Sequence, residues 1–308
     1  MAAITTLTNL VALLVTPLLL PGVINRTKSL WSGRKGPPLF QLAFDLRRLS
    51  LKRPVYSTST SPIFRLAPYV FLVAALASGA IVPVLGGQPI GSFSFDFVWF
   101  FYVWALGRVA VMLAALDVGS SFEGMGAARE ALFSSILEPA SFLVIGALSF
   151  LSGQRSLYAI LGAHPAGGAP FVVYLLAIAA LLVVVQVEAA RMPVDDPSTH
   201  LELTMVHEVM VLDHSGPDLA AIQLGAAIKL FVGCSLVASL ASPWAGRPGL
   251  LTSVVHLGLC LVIAAVIGTI ESVSARLKLR TVPQYIAIAV ACGGVALLAT
   301  IWRTGATR

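Results

Sequence analysis

Long apolar segments recur along this chain, and they limit the folds that it can adopt. Eight segments of roughly 20 residues are found near 7–24, 66–86, 98–117, 131–151, 171–190, 219–242, 251–275 and 282–302. A helix of this length crosses a hydrocarbon core of about 30 Å. With 57% hydrophobic and 11% charged residues, the composition lies outside the soluble range. The sequence therefore predicts an all-α, polytopic membrane protein with about eight transmembrane helices in a single membrane domain, residues 1–308.

The longest polar connection, residues 25–65, carries nine basic residues and one acidic residue, Asp45. After Gly36 and two prolines, leucines recur at helical spacing at positions 39, 42, 46 and 49, while Arg47, Arg48 and Lys52 fall elsewhere on the wheel. This pattern is typical of an amphipathic helix on a membrane surface. We expect a surface helix about four turns long.

The distribution of Lys and Arg among the loops predicts the orientation. Loops on one side of the predicted spans carry fourteen of these residues, and the other side carries four. Because cytoplasmic loops hold the excess of basic residues, the count predicts a multi-pass protein of the inner (plasma) membrane with both termini outside. The loops 25–65 and 188–218 then lie on the inner face. The basic residues are explained by orientation, so a nucleic-acid partner is not expected.

Residues 186–216 are unusually polar for such a chain. Seven of the fourteen acidic residues lie in this stretch or two residues beyond it, together with three of the five histidines. Buried charges cost several kcal/mol each unless they are paired, so the cluster indicates a function. Glu188 and Arg191 are three apart and are expected to pair on one helical face. Asp196 before Pro197 is a suitable N-cap for a helix over 197–214.

The histidines of this predicted helix, His200, His207 and His214, would form a stripe with a seven-residue repeat. Seven residues rise about 10.5 Å, which is too far for two of them to bind one metal ion. Cys234, Cys260 and Cys292 stand singly, so neither an iron–sulfur cluster nor a structural zinc is expected. Two interpretations of the stripe remain open, namely a proton relay and an amphipathic helix that faces solvent or a partner.

Charged residues inside the predicted spans are further functional candidates. Arg108 and Asp117 are nine residues apart, so they point to opposite sides of one helix and each needs a partner elsewhere. Glu138 precedes Pro139, Lys229 lies near mid-bilayer, and Glu271 closes the seventh span. The alternatives are a structural ion pair for Glu138 and Lys229, and a headgroup contact for Asp117 and Glu271.

Several motifs together resemble a known family. Pro-Val-Asp-Asp-Pro at 193–197 continues to Thr-His-Leu-Glu-Leu-Thr at 199–204, after Glu-Ala-Ala-Arg at 188–191. Other matches are Gly-Arg-Lys-Gly-Pro-Pro at 33–38, Asp-Val-Gly-Ser-Ser-Phe at 117–122, Gly-Ala-Ala-Arg-Glu at 126–130 and Glu-Pro at 138–139. The chain resembles formate hydrogenlyase subunit 4, the membrane-anchor subunit of group 4 NiFe hydrogenases, which is homologous to complex I subunit 1. The 192–196 segment departs from the Asn-Arg-Ala-Pro-Phe-Asp type of complex I, which favours the hydrogenase branch.

The resemblance implies a subunit without a catalytic residue, metal or other cofactor of its own, which couples electron transfer in a peripheral arm to proton translocation. NiFe and iron–sulfur centres are expected in partner subunits. Beyond the lipid bilayer, the implied partners are hydrogenase-like large and small subunits, an iron–sulfur subunit and antiporter-like membrane subunits. The carboxylates that match family positions in or beside the proton path are Glu130, Glu138, Glu188, Glu202 and Glu208. Position in the chain adds Asp213 and Lys229. The inner loops would dock the peripheral arm through Arg34, Lys35, Arg191, Asp195 and Asp196.

Two other functions remain open at this point. The chain would be the quinone-chamber subunit of an NADH:quinone oxidoreductase-like complex if it bound quinone. It would be a stand-alone proton-coupled transporter if it worked without partners, although its sequence lacks the paired broken helices of inverted-repeat transporters.

Overall fold

The computed structural model describes residues 2–163, 169–195, 205–247 and 249–306, and every regular element within these ranges is a helix. The α-helices are α1 (Ala2–Trp31), α2 (Gln41–Ser50), α3 (Pro62–Ile81), α4 (Asp96–Val118), α5 (Ser121–Ser152), α6 (Leu157–Gly162), α7 (Ala169–Glu188), α8 (His207–Met210), α9 (Gly216–Ala241), α10 (Leu250–Val273) and α11 (Val282–Ala306). Eight of them, all except α2, α6 and α8, are long and apolar enough to cross a membrane. The predicted all-α polytopic fold is therefore confirmed.

Helix α9 lies at the centre of the bundle. Within its most apolar window 83% of the residues are buried, against 28% to 61% for the other seven long helices. It contacts α1, α2, α3, α6, α7 and α10. Any charged side chain on α9 is therefore enclosed by protein rather than by lipid, and it needs a partner on a neighbouring helix.

Helix α2 is the predicted amphipathic helix, but it is shorter than expected. Its ten residues make just under three turns, and Pro54 follows soon after it, where a continuing helix is disfavoured. Leu42 and Leu46 are half-buried where α2 packs on α1 and α9, whereas Phe44 on the opposite face is 53% exposed. The leucine face of this helix is thus directed at the protein.

The segment after α2 is fastened to the start of α9. The N–H of Val55 donates to Ser215 Oγ at 2.9 Å, and the hydroxyl of Tyr56 donates to Asp218 Oδ2 at 2.8 Å. Gly216 has a φ of +57°, and a Cβ atom there would lie 3.1 Å from the carbonyl carbon of Arg53. Glycine is the residue that suits both the positive φ and this close approach. These contacts hold α2 and α9 at the same end of the bundle.

The prediction of a helix over 197–214 is wrong for residues 205–214. Its first residues, including Asp196, His200 and Glu202, lie outside the described residues. From Met205 to His214 the chain forms only the single turn α8. Helical pairing is lost because backbone N–H groups bond elsewhere: those of Val206 and His207 donate to Asp195 Oδ2 at 3.1 and 3.0 Å. His207 and His214 therefore do not lie on one continuous helix, and His200 lies outside the described residues.

Candidate functional site: a buried charge network

Arg108 on α4 is the centre of the largest group of buried charges. Its side chain is 4% exposed and contacts carboxylates from two other helices. The distances are 2.7 Å from Nη1 to Glu188 Oε1, 2.5 Å from Nη2 to Glu138 Oε1 and 4.0 Å from Nε to Glu130 Oε1. The planar guanidinium has five N–H donors, which allows one arginine to join several carboxylates. The expectation that Arg108 needs partners on other helices is confirmed.

Lys229 extends this network from α9. Its Nζ lies 2.6 Å from Glu188 Oε2, and the side chain is 5% exposed. The ammonium also lies 5.2 Å from the ring centroid of Trp104 and 5.7 Å from that of Phe71, within the range of cation–π attraction. One carboxylate, Glu188, thus bridges the two buried cations of α4 and α9.

The predicted pair of Glu188 with Arg191 is wrong. Helix α7 ends at Glu188, and Ala190 adopts a φ of +49°, so the chain reverses and the N–H of Arg191 donates to Gln186 O at 2.8 Å. Arg191 therefore lies off the helical face that carries Glu188. Its Nη1 atom lies 3.6 Å from Glu271 Oε1, and Lys28 Nζ lies 3.0 Å from the other oxygen of that carboxylate. Glu271 accordingly makes a buried ion pair rather than a headgroup contact.

His207 joins the network at its other end. Its Nδ1 atom lies 3.4 Å from Glu130 Oε2, and its side chain is 28% exposed against 7% for Glu130. The segment is held by Asp195, whose second oxygen accepts from Arg276 Nη2 at 3.0 Å. Asp195 is 1% exposed, so its carboxylate positions the backbone before α8.

The charges of this network nearly balance. Three carboxylates, on Glu130, Glu138 and Glu188, face two cations, on Arg108 and Lys229. The sum is minus one when every glutamate is ionised, and one additional proton on His207 or on a carboxylate brings it to zero. An uncompensated charge in a buried site costs several kcal/mol, so the two cations and the carboxylates beside them depend on one another.

A cavity of about 460 Å³ opens beside the network. Its apolar wall includes Phe71, Val111, Ile222 and Leu230. The polar lining consists of Asn25, Lys28, Asp45, Arg108, Glu188, Arg191, His207, Glu208, Gln223 and Lys229. Arg108, Glu188, Lys229 and His207 of the network thus line this cavity directly.

A second polar cluster lies where α3 meets the beginning of α9. Asp218 accepts hydrogen bonds from Tyr56 at 2.8 Å and from Tyr69 at 2.9 Å. Burial and the bond to Asp218 raise the pKa of Tyr56 to about 12. His214 stacks on Phe64 at 4.0 Å between ring centroids, and burial lowers its pKa to about 4. Tyr56 and His214 therefore stay neutral near pH 7 and support the structure around α8.

The other candidates have different surroundings. Glu208 lines the cavity, Asp213 is exposed and its N–H donates to Glu123 Oε1 at 3.2 Å, and Arg34 and Lys35 are exposed. Asp117 accepts from the N–H of Ser61 at 2.6 Å. Sequence reasoning predicted a partner for Arg108 but did not include it among the proton-transfer residues, and it assigned no individual role to Glu123 or Asp218. The position of Arg108 within an apolar span was the available signal, whereas the partners depend on how separate helices pack.

These features define a class: a multi-pass membrane subunit with a buried network of carboxylates and cations beside a cavity. The family model described as NADH dehydrogenase matches residues 4–302, and the chain belongs to this family.

Individual relatives agree with the sequence motifs. Formate hydrogenlyase subunit 4 of Escherichia coli (strain K12) is 26% identical over 89% of this chain and 91% of its own length. Hydrogenase-4 component C of the same organism is 27% identical over 76% of this chain and 73% of its own length. An NADH-quinone oxidoreductase subunit of Rhodospirillum rubrum is 27% identical over 57% of this chain and 54% of its own length. The resemblance to formate hydrogenlyase subunit 4, and the homology with the corresponding complex I subunit, are confirmed.

The fold is also found in a solved structure, the membrane-bound sulfane sulfur reductase (MBS), an archaeal respiratory membrane complex. One of its chains superimposes with a TM-score of 0.82 at 18% identity, and the match covers 97% of this chain and 99% of that chain.

Proposed function

We propose that this chain is the membrane-anchor subunit of a group 4 NiFe hydrogenase complex of the formate hydrogenlyase type. In this function it holds a peripheral arm at the membrane and couples electron transfer in that arm to proton translocation. It contributes no redox centre, since the NiFe and iron–sulfur centres belong to the large, small and iron–sulfur subunits of the arm.

The observation that carries this proposal is the continuity of the charge network. It begins at the cavity with His207 and Lys229, passes through Glu188 and Arg108, and reaches Glu138 on α5, whose side chain is 44% exposed at the surface of this chain. A proton that enters from the cavity has carboxylates within reach along this route. Glu138 then offers a transfer point to an antiporter-like membrane subunit next to α5.

Coupling follows from electrostatics. A change of charge in the peripheral arm close to the cavity alters the proton affinity of the nearest carboxylates. Glu188 is placed to link these effects, because its one carboxylate contacts both Arg108 and Lys229. Protonation of Glu188 would release Lys229 from this contact and would favour transfer to the next group.

Docking of the arm uses the end of the bundle that carries α2 and α8. Arg34 and Lys35 are exposed in the loop 25–65 and offer positive charge to an acidic surface. Arg191 and Asp195 are partly or fully buried and hold the loop that follows α7, so their part in docking is to fix its shape. This end faces the inside of the cell in a multi-pass protein of the inner (plasma) membrane with both termini outside.

A second candidate function is the quinone-chamber subunit of an NADH:quinone oxidoreductase-like complex. The cavity favours it, because about 460 Å³ suits a drug-sized ligand, with an apolar wall for an apolar body and polar lining residues for a polar head. A photoreactive quinone that labels the loops 25–65 or 188–214 in membranes, together with quinone-dependent turnover, would favour this second function over the first.

Affinity purification of the tagged chain in mild detergent tests the first proposal. We expect nickel, iron and acid-labile sulfide to purify with the chain, in company with the large, small and antiporter-like subunits. Purification of the chain without any of these subunits, with proton-coupled transport by the reconstituted chain, would instead support the stand-alone transporter.

A further inference from the structure

We propose that His207 is the residue through which protons enter the buried network from the cavity; this inference rests on the proposed function. His207 lies at the boundary between the two environments. Its side chain is 28% exposed and lines the cavity, while the Glu130 carboxylate that it contacts at 3.4 Å is 7% exposed.

The two ring nitrogens of His207, Nδ1 and Nε2, have different roles in the proposed proton transfer. Nδ1 lies 3.4 Å from Glu130 Oε2, so we assign the hydrogen of the neutral ring to Nδ1 and its lone pair to Nε2. Nε2 accepts a proton from a hydronium ion in the cavity, which is left as water, and the resulting imidazolium donates the Nδ1 proton to the Glu130 carboxylate. One proton enters and one leaves, so the ring is again neutral but carries its hydrogen on Nε2. Rotation of the ring or exchange with water restores the first tautomer.

Charged groups from several elements face His207. Glu130 on α5 and Glu188 on α7 favour its positive charge, whereas Arg108 on α4 opposes it. Glu208 is the next residue of α8, and Asp195 accepts from the backbone N–H of His207. Across the cavity lie Asp45 of α2, Lys28 of α1 and Arg191 after α7. Charges of both signs surround the ring, which suits a group that must gain and lose a proton.

The position of α8 does not depend on the imidazole. Asp195 holds the backbone N–H groups of Val206 and His207, and Arg129 Nη1 donates to Met205 O at 2.8 Å. Val209 packs closely on Gly126 of α5. Removal of the His207 side chain should therefore leave α8 in place, which separates a proton-transfer role from a structural one.

The test uses the intact complex in proteoliposomes, with electron transfer and proton movement measured together. We expect His207→Ala to assemble and to transfer electrons, but to lower the number of protons moved per electron about tenfold or more, as loss of a general acid–base group does. Added imidazole should restore proton movement in this variant. His207→Gln should show the same loss without restoration by imidazole, because the glutamine side chain fills the space that the imidazole would use.

Four outcomes would overturn the inference. Unchanged proton movement and pH profile in His207→Ala would do so. A loss that imidazole does not restore, in a complex that retains all its subunits, would also do so. If the complex with His207→Ala does not assemble, proton movement is measured in the complex with His207→Gln instead. Normal proton movement in that complex would show that His207 is not the proton-entry residue. Absence of proton movement in the unsubstituted complex would overturn the proposed function as well, so the two failures can be told apart.

Discussion

Glu188 Oε2 lies 2.6 Å from Lys229 Nζ, while the other oxygen of the same carboxylate lies 2.7 Å from Arg108. Two cations from different helices therefore share one buried anion. The pair of Glu188 and Lys229 joins α7 to α9, the most buried long helix. This relationship connects stability to proton transfer, because any change at Glu188 leaves a cation uncompensated.

Replacement of Lys229 by methionine should destabilise the chain. It removes one of the two cations that compensate Glu188, and breaking a buried pair by removal of one partner costs about 3–5 kcal/mol. Thermal unfolding of the purified complex would measure the loss. The double variant Lys229→Met with Glu188→Gln should recover part of it, because no uncompensated carboxylate then remains at this position. Additive losses in the double variant would show that the two side chains do not interact.

A larger side chain at position 126, in place of Gly126, should destabilise the packing of α5 against α8. A Cβ atom there would lie 2.4 Å from Val209 Cγ1 and 3.0 Å from Val206 O. Gly126→Val should therefore displace α8 and lower stability by about 1–3 kcal/mol. Gly124→Ala in the same helix is the matched control, since a Cβ atom there meets nothing within 4 Å. Hydrogen exchange over residues 205–215 should increase in the first variant and stay unchanged in the second.

Asp218 should hold residues 51–61, the segment after α2, against the beginning of α9. Asp218→Asn keeps the size of the side chain but weakens acceptance from Tyr56 and Tyr69, and bonds to a charged group contribute about 1.5–3 kcal/mol. We expect faster hydrogen exchange at residues 51–61. Tyr56→Phe removes one of the two bonds and should have a smaller effect. Equal exchange in all three proteins would contradict this role for Asp218.

His214 should make the structure near α8 sensitive to acid. The pKa of His214 is about 4 in the folded chain against 6.5 for the ordinary side chain, because burial disfavours the charged form. Between these values the unfolded state binds the proton and the folded state does not, so the stabilising free energy falls as pH decreases from 6.5 to 4. At pH 4 the free energy of unfolding is lower by about 3 kcal/mol than at neutral pH, because each unit of pKa difference corresponds to about 1.4 kcal/mol.

Limited proteolysis of residues 205–218 between about pH 4 and pH 7 would measure this dependence. His214→Phe preserves an aromatic stack on Phe64 and removes the titrating group. The variant should therefore lose most of the pH dependence in this range. An unchanged profile would show that other groups cause it.

The sequence predicts the fold well, because about 20 apolar residues in a row have few alternatives to a membrane-spanning helix. Reasoning from a local sequence pattern fails to predict the backbone conformation of residues 205–214. A seven-residue histidine repeat indicates a helix only when local hydrogen bonds decide the backbone conformation, and here the Asp195 carboxylate takes the N–H groups of Val206 and His207. Bonds between distant segments leave no periodic signal in the chain.

The sequence predicts only part of the candidate site, because contacts between distant segments leave no local signal. Glu188 and Lys229 could be named as candidates because each is a charge in or beside an apolar span. Their pairing, and the pairing of each with its neighbours, depends on helix packing and on the reversal at Ala190, which turns Arg191 away from Glu188. Spacing of three residues suggested the wrong partner, because helical spacing applies only while the helix continues.

Coupling of electron transfer to proton movement through the buried carboxylates can be examined with Glu188→Gln in the intact complex. Electron transfer, measured with an artificial viologen donor, and proton movement would be recorded in the same proteoliposomes. Glu271→Gln is the matched control, since it makes the same chemical change at a buried ion pair outside the network. We predict that Glu188→Gln assembles and transfers electrons but moves at least about tenfold fewer protons per electron, whereas Glu271→Gln keeps the unsubstituted ratio. An unchanged ratio in Glu188→Gln would contradict the proposed coupling.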